Sequence, residues 1–295
     1  MRASIKVLAI YREEKYSNRA VDFDKAIMDE VLKYLIFILG NEIVVTTIKP
    51  EDIGNKLLDF NYDLAFSMAQ DDNILAYLEL LEERGTVVLN NSKSIRNCFR
   101  SKLSKLLCDP IFSYPRYISL NVEQKIYETF NSIHGFWVKR SDFHSLCDDD
   151  VVHINNIEEL NPILLNFKSR GVNEVILQES IDGDLYKFYG IKDQYFNCNF
   201  VGRTNKDRYT NISSDPNTSF DRNSLEAIAN KAAHTLDLDF YGGDFIITPT
   251  NEICIIDFND WPSFRTCRSK VAPIMGMYAL DKIKAEVNSA LSINK

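Results

Sequence analysis

The chain has 295 residues, of which 45% are hydrophobic and 26% charged, with a net charge of −8. That length predicts two or three packed units of a soluble globular protein. The acidic balance excludes a broad nucleic-acid surface but leaves room for a local basic cleft that holds a phosphorylated ligand. Six cysteines (98, 108, 147, 198, 254, 267) include no C-x-x-C pair, and predict packed, reduced thiols in a cytoplasmic protein.

The run Ile-Lys-Val-Leu-Ala-Ile (5–10) is too short for the core of a signal peptide and predicts a first buried strand. Residues 24–39 carry Ile27, Val31, Leu35 and Ile38 at helical spacing, and Gly40-Asn41 closes that helix. Its apolar segment 31–40 is too short to span a bilayer, so no membrane contact is expected. Strands at 42–48, 62–69 and 86–90, with a helix at 72–84, complete a strand–helix alternation that predicts a parallel sheet over residues 1–95.

A helix rich in Lys and Arg (92–107) leads to Pro110 and Pro115. Strands follow at 136–140, 151–154 and 174–180, with a helix before the last of these, giving a second unit over residues 96–178. The third unit, residues 179–295, has strands at 185–191 and 195–202, a polar loop at 203–221, a helix at 223–236 and a final strand pair. A connection as long as 203–221 points to function or mobility.

The final pair carries the chemistry. Asp244 opens Phe-Ile-Ile after two glycines, and Asp257 ends Ile-Cys-Ile-Ile, with Asn259 two residues on. Carboxylates at the ends of apolar strands cost desolvation unless something compensates. A hairpin through 248–252 brings Asp244 near Asp257, and Asp257 and Asn259 share one face of an extended segment. Three converging oxygen donors suit a hard cation such as Mg²⁺, which completes its shell with water and phosphate oxygens. Lys139 closes the apolar strand Gly-Phe-Trp-Val-Lys, where an ammonium calls for an anion. In the stretch 175–191 the backbone of Glu179 and Ile181 offers a donor and an acceptor to an adenine edge. Asp184 there suits ribose hydroxyls and Lys187 a phosphate.

This ordered set resembles the ATP-grasp superfamily over most of the chain. The elements are the α/β first unit, the basic helix with Lys102, the strand-end Lys139, Q-E-x-I-x-G-D at 178–184, and D-x-N at 257–259 with Asp244 upstream. The resemblance implies an α/β and α+β protein, with a parallel N-terminal domain and two ATP-grasp subdomains. It places Lys102 and Lys139 on ATP phosphates or adenine, and Gln178, Glu179 and Ile181 around adenine. It puts Asp184 on ribose, Lys187 near phosphate, and Mg²⁺ on Asp244, Asp257 and Asn259. It also implies ligase chemistry, with ATP activating a small-molecule carboxylate as an acyl phosphate for attack by an amine or thiol. A kinase acting on an alcohol, such as an inositol phosphate, and a non-catalytic nucleotide binder stay open on the same scaffold.

Two departures stand out. Relatives place a glycine-rich phosphate loop after the second lysine, whereas 140–150 contains no glycine, so Arg140, Ser141 and His144 are candidate replacements for its backbone donors. The arginine that many ligases carry two residues before the first metal carboxylate is Gly242 here. Arg203, Arg208 and Arg265 are the candidates for that charge, and 140–150 and 203–221 for a water-excluding lid. The histidines, the triplet Asp148-Asp149-Asp150 (as a solvated turn) and Trp261 have structural readings, with Trp261 also a candidate wall of the acceptor pocket.

Overall fold

A computed structural model describes residues 4–16, 21–53, 61–123, 130–143, 145–203, 216 and 218–293. Three four-stranded sheets organise it. The first is parallel, in the order β2 (Ile43–Ile48), β1 (Ile5–Ile10), β3 (Leu64–Ser67), β4 (Val87–Leu89). Helix α1 (Val21–Leu39) covers one face and α2 (Asp72–Glu83) the other. Asp71 caps α2 by accepting from Asn73 N. β1 is fully buried from Val7 to Ile10, as expected for a strand covered on both faces.

The basic segment forms two helices rather than one, α3 (Ser92–Asn97) and α4 (Arg100–Leu107), broken at Cys98-Phe99. The break resets the helical register, which has consequences for the site. The second sheet is antiparallel, in the order β5 (Tyr117–Asn121), β8 (Glu174–Glu179), β6 (Phe136–Arg140), β7 (Val151–Ile154), and α5 (Leu160–Ser169) covers it. β5 is an additional strand, since Pro110 and Pro115 read only as breakers in the sequence.

The third sheet, also antiparallel, runs β10 (Tyr195–Arg203), β9 (Asp184–Ile191), β11 (Phe240–Ile247), β12 (Ile253–Asp260). Its core is aromatic: Tyr186 stacks on Phe245, and Phe188 packs edge-on to Phe258. α6 (Arg222–Leu236), capped by Asp221, and the Leu103/Leu107 face of α4 share that core. The closing helix α7 (Arg268–Ile293) has no counterpart in the sequence reading. It returns to the N-terminal sheet, where Val271, Ala272 and Met275 join the core formed by α1 and β1. Trp261 is fully buried there between Phe66 and Phe240, so packing is its structural role. No helix among the described residues is long and apolar enough to cross a membrane.

Asn90 joins the first sheet to the third. It is fully buried, donates Nδ2 to Phe240 O at 2.7 Å, and accepts on Oδ1 from Asp239 N at 2.9 Å and Phe240 N at 2.8 Å. One amide thus satisfies three buried backbone groups at the start of β11. Asn90→Ala removes the acceptor of the Asp239 and Phe240 N–H groups, while Phe240 O keeps its bond from Trp261 N at 3.2 Å; it is expected to lower the unfolding free energy by about 2 kcal/mol or more, as read by urea denaturation.

Candidate active site

The hairpin of β11 and β12 sets the centre of the site. Asp244 pairs directly with Asp257, after which the register slips so that Phe245 faces Ile255. Ile256 is therefore the extra residue of a β-bulge. A regular strand sends neighbours to opposite faces; the bulge lets both Ile256 and Asp257 line one cavity. Gly243 makes the close pairing possible, because a Cβ there would lie 2.3 Å from Asp257 O.

The cavity has a volume of about 290 Å³ and lies between the second and third sheets. Trp137, Ile181, Leu185, Ile246 and Ile256 supply apolar surface, and Arg100, Lys139, Arg203, Asp244 and Asp257 supply charge. Gln178 and Glu179, from the last turnings of β8, line it as well. Of the residues singled out in the sequence, Lys139, Gln178, Glu179, Ile181, Arg203, Asp244 and Asp257 are brought together here.

Lys139 donates Nζ to Ile256 O at 3.3 Å, the carbonyl of the bulge residue. Burial pushes its pKa down to about 8, against the pull of Asp257 and with the nearby Arg100 charge adding to the push. Lys187, on β9, pairs directly with Asp244 of β11 and bonds it at 2.7 Å. Burial works against its charge, but Asp244 outweighs burial and holds the Lys187 pKa above the ordinary value. Lys187 thus neutralises one of the two facing carboxylates. Glu179 receives a two-pronged bond from Arg116, at 2.8 and 2.6 Å, and gives its N–H to Arg116 O. Its carbonyl is the group left as a candidate for a base edge.

Several residues lie elsewhere than the sequence suggested. Lys102 points to solvent, while Arg100, two positions earlier on α4, is buried and lines the cavity. The break at Cys98-Phe99 starts α4 afresh and turns Arg100, not Lys102, inward. Asp184 is buried away from the cavity lining, accepting from Arg203 Nε at 3.1 Å and from Thr218 N and Oγ1 at 2.8 Å each. Asn259 is half-buried opposite Gly242, beyond the cavity lining. Arg265 is exposed and stacks over the Phe23 ring at 4.0 Å. Arg208 and His144 lie outside the described residues.

The acidic triplet is a turn with two exposed acids, Asp148 and Asp149, and one that departs from the solvated reading. Asp150 is fully buried and accepts from Arg140 (3.2 Å), Arg170 (2.6 Å), Leu146 N (2.7 Å) and Cys147 N (3.2 Å). These contacts keep its pKa low although burial opposes them. They fold the glycine-free stretch 141–150 so that Ser145 and Asp148 reach the cavity. At position 242 an added Cβ would sit 2.8 Å from the Pro262 ring, so a long side chain there has no path. His153 and His234 bond His134 O and Asp193, and all six cysteines are free.

The two facing carboxylates are a hard-oxygen donor set of the kind a divalent cation takes, with room beside them for further oxygen ligands. No group of three or more His, Cys, Asp or Glu with metal-ligand geometry occurs among the described residues.

The whole chain is similar to solved D-alanine–D-alanine ligases. With the Bacillus anthracis enzyme complexed with ATP it shares 14% identity at a TM-score of 0.67, covering 99% of this chain and 100% of that one. With D-alanyl-alanine synthetase A of Vibrio cholerae O1 biovar eltor str. N16961 the values are 12% and 0.67, over 97% and 99%. With the VanG D-Ala:D-Ser ligase of Enterococcus faecalis they are 14% and 0.63, over 96% and 99%. No family model and no curated protein matches the sequence. The chain has the ATP-grasp fold of these ligases.

The Lys139 pKa near 8 sets a pH dependence. Below that pH the ammonium is present to attract an anion; above it the amine is neutral. Affinity for a polyphosphate is therefore expected to fall as pH rises through 8, by up to about tenfold per unit. Lys139→Arg, charged across that range, is expected to flatten the curve in calorimetric titrations.

Proposed function

We propose that the chain is an ATP-dependent ligase that activates a small-molecule carboxylate and joins it to an amine or thiol. The observation that carries this reading is the convergence of Arg100, Lys139 and Arg203 with the Asp244–Asp257 pair in one cavity. The fold shared with ATP-dependent ligases supports it.

In this reading the base occupies the apolar end, against Ile181, Leu185 and Ile246, with the Glu179 carbonyl and the Ile181 N–H as edge partners. The phosphates extend toward Lys139 and Arg100, whose charges offset theirs. Asp244 and Asp257 would hold Mg²⁺, with Asn259 beside them on the same face of β12 and Lys187 balancing Asp244. When bound, the ion neutralises charge on the transferring phosphoryl group. A carboxylate oxygen of the acceptor attacks the γ-phosphorus, the bond to ADP breaks, and an acyl phosphate forms. The amine or thiol then adds to the acyl carbon, and phosphate leaves.

The missing arginine at 242 fits this scheme only if another cation faces the reacting oxygens. Arg203 meets that need among the described residues, because it lines the cavity and is held by Asp184 at 3.1 Å. Preorganised charge of this kind supplies much of the stabilisation of an acyl-transfer transition state. Ser145 and Asp148 line one side of the cavity, where they would limit the access of water to an acyl phosphate.

The test is ADP release in the presence of Mg²⁺ and panels of amino and hydroxy acids as acceptors, with amines and thiols as second substrates. Acceptor-dependent release coupled to amide or thioester formation is expected; release driven by inositol phosphates instead would replace the ligase reading with a kinase. Asp257→Ala is expected to abolish turnover while leaving the melting temperature close to that of the parent. Turnover at the parent rate in that variant would remove Asp257 from the metal site. Arg203→Met is expected to lower kcat by about 100-fold or more, with a smaller change in the KM for ATP.

A further inference from the structure

We infer that Phe143 is a positioning residue that ties the roof of the nucleotide cavity to the N-terminal unit through Tyr16. This rests on the proposed nucleotide site but concerns what holds that site in shape. The stretch 141–150 joins β6 to β7, contains no glycine, and supplies Ser145 and Asp148 to the cavity. A loop that closes on phosphates through its own amides needs conformational freedom; this one is fixed by side chains instead.

Both ends of the stretch are anchored within the second unit. Near its start, Ser141 N bonds Glu174 O at 3.2 Å and Ser141 Oγ bonds the Glu174 carboxylate at 2.6 Å. At its end, the buried Asp150 gathers Arg140, Arg170 and two backbone N–H groups. Between these anchors Phe143 reaches out. Its ring stacks on Tyr16, with centroids 5.0 Å apart and planes 26° apart, and meets Phe99 edge-on at 5.1 Å. Tyr16 ends the short 3₁₀ turn that follows β1, and Phe99 is the residue before α4. Arg100 adds a polar tie, donating Nη1 to Phe143 O at 3.1 Å and to Arg140 O at 3.3 Å.

Three segments distant in sequence thus meet on one ring: the 3₁₀ turn after β1, the start of α4 and the cavity roof. Arg100 lines the cavity and also holds the roof, so the group facing a phosphate and the group fixing the loop are one side chain. Separating Phe143 from Tyr16 frees the middle of the stretch while its ends stay anchored. Release of a bound nucleotide past Ser145 and Asp148 then requires that separation, and the N-terminal unit governs how long the nucleotide stays.

The experiment measures ATP release by stopped-flow displacement of a fluorescent ATP analogue, with Mg²⁺ present, in Phe143→Ala, Tyr16→Leu and the double variant. Each single variant is expected to speed release about three- to tenfold, the loss of one aromatic pair. Phe143→Tyr is expected to restore the parent rate, and the double variant to exceed the faster single variant only slightly. A merely structural role would not speed release in variants whose melting temperature is unchanged. Hydrogen exchange in the ligand-free protein gives a second readout that needs no nucleotide. The Phe143 amide, bonded to Asp142 Oδ1, is expected to exchange faster in Tyr16→Leu, while the Leu146 and Cys147 amides on the Asp150 anchor and those of β8 keep their protection. ATP binding with unchanged release and unchanged exchange in both single variants would overturn the inference alone. A parent protein that binds no ATP would overturn the nucleotide reading and this inference with it.

Discussion

A single extra residue in β12 is the constraint on which the site depends. The bulge at Ile256 lets Asp257 face Asp244 and turns Ile256 into the same cavity. It also takes the Ile256 carbonyl out of the regular ladder, and Lys139 of the second sheet donates to that oxygen. One irregularity therefore sets the spacing of two carboxylates and docks the two antiparallel sheets across the cavity. Without it, alternation along the strand would send Ile256 and Asp257 to opposite faces, and the Lys139 ammonium would lose its fixed acceptor.

The charge arrangement follows from that geometry. Two facing carboxylates repel, and Lys187 relieves the repulsion by bonding Asp244 from the neighbouring strand. Lys139 does so less completely, because burial opposes its charge. The cavity thus holds partly compensated charges of both signs, a setting that favours a ligand bringing anionic oxygens together with a cation. Around it, side-chain bonds fix a stretch that contains no glycine. Asp150, Arg140 and Arg170 form a buried ion network that shapes the roof, and Arg100 fastens that roof to α4. Breaking one partner of such a network leaves a buried charge uncompensated, at a cost of several kcal/mol.

Much of this was legible in the chain. Isolated acids at the ends of apolar runs marked Asp244 and Asp257, and a lysine closing an apolar strand marked Lys139. The strand–helix alternation at the start gave the parallel sheet. What escaped the sequence depends on breaks and on long-range partners. The helix interruption at Cys98-Phe99 has no glycine or proline to announce it, yet it decides that Arg100 and not Lys102 faces inward. Asp150 reads as one acid of a polar turn until Arg140, ten residues before it, and Arg170, twenty after, close on it. Asp184 sits in a motif that suggests a ribose contact, and nothing in the sequence announces that Arg203 and Thr218 bond it. α7 carries Pro273 and Gly276 within its length, signals that read as a stop, although its apolar residues complete the first core.

Diffraction from crystals grown with a non-hydrolysable ATP analogue and Mn²⁺ tests the central claim most directly, since the anomalous signal locates the ion without assumptions about its ligands. The account predicts a Mn²⁺ peak about 2.0–2.3 Å from oxygens of both Asp244 and Asp257, with the triphosphate extending toward Lys139 and Arg100. A nucleotide bound outside this cavity, or an ion that contacts neither carboxylate, would contradict it.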